Sequence, residues 1–169
     1  MKLKSLLDEA IDAWEDARSG VIDELDNFPG ARFDWRPASG ARSVEETALH
    51  IIEVSLMMTG VLGSDSPGFA GESYPKLIAR YSKPIDGIKG KREVMGAMRR
   101  TLRDGVKAFR DKGELHMLQT ITRFDGQRGT RLAWMHHGIA HEMYHRGQLA
   151  TYARLVGLTP ALTRRIGGG

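Results

Sequence analysis

Four of the six histidines in this chain crowd into one short stretch as His136, His137, His141 and His145, and His137, His141 and His145 recur at four-residue steps. Residues at i and i+4 of a helix lie one above the other, so two imidazoles at that spacing can reach a common ion. His141-x-x-x-His145 is the sharper pair. Its stripe continues through Trp134 on one side and Leu149 and Tyr152 on the other, and so faces the interior. Each buried ring left without a partner costs about 1–3 kcal/mol, and a shared metal satisfies several at once. His50 brings a third imidazole from a different and almost wholly apolar run, Ala48-Leu49-His50-Ile51-Ile52. Three neutral imidazoles suit zinc, nickel, copper or iron rather than magnesium or calcium, and such a site keeps a position open for water or substrate.

Other candidates carry less. His116 and His136 read as ordinary core or surface histidines, and His137 as a packing or outer-shell residue rather than a fourth ligand. Glu53 and Glu142 could each accept an imidazole N–H, as partners of metal-bound histidines do, but surface charge is the simpler reading of both. Trp35, Arg146 and Tyr152 could touch a ligand; packing is the role their contexts favour.

Helical periodicity predicts the elements that would hold these rings. Leu3, Leu7, Ala10, Trp14, Ala17, Val21, Leu25 and Phe28 form one apolar stripe that stops at Pro29-Gly30. Ser43-Val44-Glu45-Glu46 is a capping box, and a second helix starts there with His50 in its apolar middle. From Gly63 to about Gly87, three prolines and several glycines suit a long crossing connection, which frees the helices from simple up-down order. A third helix follows, with Val94, Met98, Leu102, Val106 and Phe109 on its inner face. Residues 117–124 favour extended structure before Asp125-Gly126, which predicts a small hairpin. Thr130 can cap a fourth helix that runs to Val156 and stops at Gly157. The expectation is an all-α four-helix bundle with a long crossover, one domain over 1–160 and a flexible tail over 161–169.

Composition narrows the partners. The chain has 169 residues and no stretch near the ~20 apolar residues of a membrane helix. Acidic residues at positions 8, 9 and 12 stand where a signal peptide needs an apolar run. The absence of cysteine removes disulfides, thiolate ligands and a cysteine nucleophile; a cytoplasmic protein is expected, and any thiol chemistry must use a bound small molecule. Nine Lys/Arg against three Asp/Glu between Lys89 and Lys112 contribute to the net charge of +4. With no recognition motif beside them they read as a solvated helix face, and nucleic acid is not the expected partner.

His141-Glu142-Met143-Tyr144-His145-Arg146-Gly147-Gln148 resembles the H-x-x-x-H-R-G-Q signature of the DinB/YfiT-like superfamily. Trp35-Arg36-Pro37, the run Ser43 to His50 and the closing Leu155-Val156-Gly157-Leu158-Thr159-Pro160 resemble its other conserved regions, in order. The resemblance implies a four-helix bundle, often a homodimer, with a metal held by His50, His141 and His145. It also implies a range of activities, including thiol-dependent S-transfer and mycothiol-dependent isomerisation. The expected function is therefore a metal-dependent enzyme that activates a small thiol toward an electrophilic substrate, with zinc or nickel foremost and a low-molecular-weight thiol as second cofactor. Hydrolysis by metal-activated water is the alternative within enzymes, and a non-catalytic binding or dimerisation module with a structural metal is the alternative outside them. A DNA-associated stress role is the weakest of the readings.

Overall fold

The computed structural model describes residues 4–167. Leu3, assigned above to the first apolar stripe, and the end of the glycine tail lie outside them.

Helix α1, Leu6–Asn27, opens on a capping box in which Ser5 accepts from the Asp8 N–H and Asp8 accepts from the Ser5 N–H. Helix α2, Val44–Gly63, opens on the expected box between Ser43 and Glu46. The crossing connection contains a short helix, α3, Tyr74–Tyr81, that the sequence reading leaves as irregular chain. Pro75 is tolerated in its first turn, where the missing N–H has no helical partner anyway, and Leu77 anchors it in the core. Helix α4, Gly90–Met117, is broken at Gly113, whose φ of 77° is a left-handed value that side chains resist. Strands β1, Thr120–Thr122, and β2, Arg128–Thr130, pair antiparallel with Thr120 opposite Thr130 and Thr122 opposite Arg128. The hairpin is shorter than expected, because residues 117–119 finish the α4 turn instead of extending β1. Helix α5, Arg131–Leu155, is capped by Thr130, which accepts from the Ala133 N–H at 3.1 Å.

The expected tail does not begin at 161. Ala161–Ile166 form helix α6, whose first free N–H groups, on Ala161 and Leu162, donate to the buried carboxylate of Glu24 at 2.9 and 3.2 Å.

Contacts at the helix ends give the topology. The Leu7 N–H donates to Glu114 and Lys91 donates to the Phe28 carbonyl, so α1 and α4 are antiparallel. The Gly90 N–H donates to Glu45 at one end, while the His116 ring meets the Leu62 carbonyl at the other, so α2 and α4 run parallel. Trp14 meets Glu142 and Glu24 meets Ala161, so α1 and α5 are also parallel. The order is up, down, down, up, and only the long connection from residue 64 to residue 89 makes the two consecutive down helices possible. That connection is stitched to the hairpin by the Phe69 N–H donating to the Thr122 carbonyl at 2.7 Å.

The core divides into two apolar clusters. One, around Trp14, Met58, Phe109 and Met135, fills the hairpin end. The other, around Leu25, Ile52, Met98 and Tyr152, fills the opposite end. No helix among the described residues is long and apolar enough to cross a membrane.

Candidate metal centre

His50 stands on α2 and His141 and His145 stand one turn apart on α5, and the antiparallel packing of these two helices brings the three rings together. His141 Nε2 lies 3.2 Å from His50 Nε2 and 3.1 Å from His145 Nε2. One ligand atom from each residue falls within 4.8 Å of the others. The rings meet edge-on, with centroids 4.5 Å apart for His141 and His145 and 5.1 Å for His50 against each of them.

A hydrogen-bond relay orients His145. The Tyr152 hydroxyl donates to the Arg42 carbonyl at 3.2 Å and therefore accepts from the Gln148 amide NH2 at 2.9 Å. That turns the Gln148 Oε1 to His145 Nδ1, 2.7 Å away, which must carry the proton. His145 Nε2 is then a bare lone pair facing the other two rings. The His141 Nε2 can give a proton to one neighbour at most, so three neutral imidazoles this close leave one nitrogen–nitrogen contact with no proton between them. A cation at that point removes the conflict.

Electrostatics favour the neutral rings that metals bind. Burial lowers the His50 pKa to about 4, helped by the nearby charges of Arg42 and His145. Burial lowers His141 to about 3, with His145, His50 and Arg42 adding to it. His145 is also lowered, chiefly by burial, although its bond to Gln148 pulls the other way. Three histidine nitrogens bound at 2.0–2.1 Å in tetrahedral array stand about 3.3 Å apart. The two separations from His141 Nε2 are close to that, so the donor set fits a divalent transition metal.

The remaining candidates separate cleanly. His137 is outside the cluster and lines a cavity next to it, with its ring 6.0 Å from that of Trp134. Trp35 packs edge-on against Tyr152, and Arg146 lies over Gly20 of α1. His136 is exposed, and His116 serves the end of α2 through the Leu62 carbonyl. Glu53 stands 3.9 Å from His50 Nδ1, beyond hydrogen-bonding range.

Glu142 corrects the sequence reading. It is no surface charge but a core residue, 2% exposed, with its carboxylate held by both Nε and Nη2 of Arg18 and by the Trp14 indole N–H, each at 2.7 Å. It points away from the cluster and joins α5 to α1. Gln148 is the residue the sequence reading missed; its only signal was its place three residues after His145, at the end of the histidine motif.

Comparisons with known proteins agree with this architecture. The DinB family model matches residues 1–165. Among solved structures, a DinB-like protein from Bacillus cereus ATCC 10987 superposes with TM-score 0.69 at 20% identity, over 89% of this chain and 93% of that one. YfiT from Bacillus subtilis, described as a probable metal-dependent hydrolase with an unusual four-helix bundle topology, gives 0.68 at 12% identity, over 94% and 92%. A mutant of the mycothiol-dependent maleylpyruvate isomerase gives 0.65 at 12% identity, over 87% of this chain and 63% of that one. At these identities the structural likeness speaks for the fold. No curated protein matches the chain.

Proposed function

This chain belongs to the DinB family, and from that premise we propose that it is a metal-dependent enzyme that uses a small thiol as nucleophile toward an electrophilic substrate, with His50, His141 and His145 as the ligands. The observation that carries the reading is the convergence of three imidazoles from two helices, with His141 Nε2 3.2 Å from His50 Nε2 and 3.1 Å from His145 Nε2. A divalent ion there would supply the Lewis acidity that lowers the pKa of a thiol, in a chain with no cysteine of its own.

The chain's own residues supply the rest. Gln148 and Tyr152 hold the His145 ring with its lone pair inward. His50 and His141 remain partly exposed, so the centre stays reachable. The positive charge of Arg42, felt at all three rings, suits an anionic thiol approaching from that side. A likeness in fold to a mycothiol-dependent isomerase supports thiol use, while the likeness to a probable metal-dependent hydrolase supports a second reading, attack by water activated in the same way. We also place the protein in the cytoplasm and expect a homodimer.

Elemental analysis of the purified protein, followed by a screen of small thiols with a chromogenic electrophile, tests the proposal. One equivalent of metal, lost in His141→Ala, with thiol turnover that falls in step, is expected. Stoichiometric metal with ester hydrolysis and no thiol turnover would move the assignment to the hydrolase.

A further inference from the structure

A cavity of about 250 Å³ begins at His141 and runs toward the hairpin end of the bundle. Its walls come from four elements: Val54 and Val61 of α2, Leu77 of α3, Ile121 and Phe124 of the hairpin, and Gly138 of α5. An apolar cavity of about 150 Å³ holds one benzene molecule, so this one has room for a substituted ring. The long crossover and the hairpin, which the bundle's topology requires, double as its roof.

The polar part of the lining is sparse. Arg123 is stacked on the Trp134 indole, with Cζ 4.0 Å from the ring centroid, and gives both Nε and Nη2 to the carboxylate of Asp125. Its charge is therefore already matched. Trp134 Nε1 and His141 Nδ1 belong to lining residues but are buried and offer no surface to the cavity, so neither makes its wall polar.

We propose that this cavity is the substrate subsite and that it selects an uncharged, apolar compound of the size of a substituted benzene. A carboxylate would lose its hydration here and meet no unmatched cation from Arg123. The inference rests on the metal-centre reading for the chemistry that follows binding, and not for binding itself.

The two parts are tested separately by titrating metal-free and zinc-loaded protein with methyl cinnamate and with the cinnamate anion, which share a shape and differ in charge. The metal-free form decides selectivity, because there the anion has no metal to bind. The ester is expected to bind at least ten-fold more tightly than the anion. Gly138→Ala narrows the cavity, since its Cβ would lie 2.0 Å from Met58 Sδ and drive that flexible side chain inward. Phe124→Ala removes part of the apolar wall that the hairpin contributes. Each is expected to weaken the ester at least five-fold in protein whose melting temperature stays well above that of the titration. Equal or tighter binding of the anion, no ester binding, or ester binding indifferent to both substitutions overturns the subsite. Ester binding by a protein that retains no metal would keep the subsite and remove the metal centre, whereas tight metal without ester binding would do the reverse.

Discussion

Gln148 shows how much of the centre depends on a residue that binds nothing itself. Through Tyr152 and the Arg42 carbonyl it fixes which His145 nitrogen carries the proton. Partners of this kind typically govern 10- to 100-fold in metal affinity. Gln148→Leu is therefore expected to weaken zinc about ten-fold or more in a chelator competition, with the helical circular dichroism retained. Glu142 is the opposite case, a charge between two of the clustered histidines that serves only the core. Breaking a buried pair strands the other charge, so Glu142→Ala should lower the unfolding free energy by about 3–5 kcal/mol in urea titrations. His141 and His145 were legible as candidate ligands because their spacing is local, and His50 because its surroundings are apolar. Arg18 and Glu142 were not, because their partnership spans 124 residues and nothing nearby in sequence marks either as buried.

At the scale of elements, caps and stops were the readable part. Ser43, Thr130 and Gly157 act on the residues beside them, and the helices they delimit lie where the periodicity places them. Helices α3 and α6 were missed because both are short and are held by tertiary contacts: Leu77 in the core for one, Glu24 for the other. The join between crossover and hairpin was equally invisible. It needs a residue without a side chain at Gly68, where a Cβ would sit 2.9 Å from the Thr122 carbonyl oxygen. Backbone cannot give way as a flexible side chain can. Gly68→Ala should therefore lose about 1–3 kcal/mol of stability, with faster amide exchange in residues 120–130 and helix α1 unaffected.

For the whole molecule, the cluster lies where α2 meets α5, held by helices that also build the two apolar clusters, so its ionisation couples to folding. The folded pKa values of His50 and His141, about 4 and about 3, lie below the ordinary 6.5. Between those values and 6.5 the unfolded chain binds more protons than the folded one, so stability falls as pH drops through that window. The metal-free protein should show a melting temperature that declines from pH 6.5 toward pH 4, and the double variant His50→Phe, His141→Phe should show a shallower decline. Metal binds the folded state and needs the rings neutral, so its removal should lower the melting temperature, and affinity should weaken over the same acid range.

The central claim is that three histidines from two helices hold one ion. X-ray absorption spectroscopy of the zinc-loaded protein reads the ligands directly. Three imidazole nitrogens at about 2.0–2.1 Å are expected, reduced to two in His50→Ala. A zinc shell with one imidazole or none, or a spectrum that His50→Ala leaves unchanged, would contradict it.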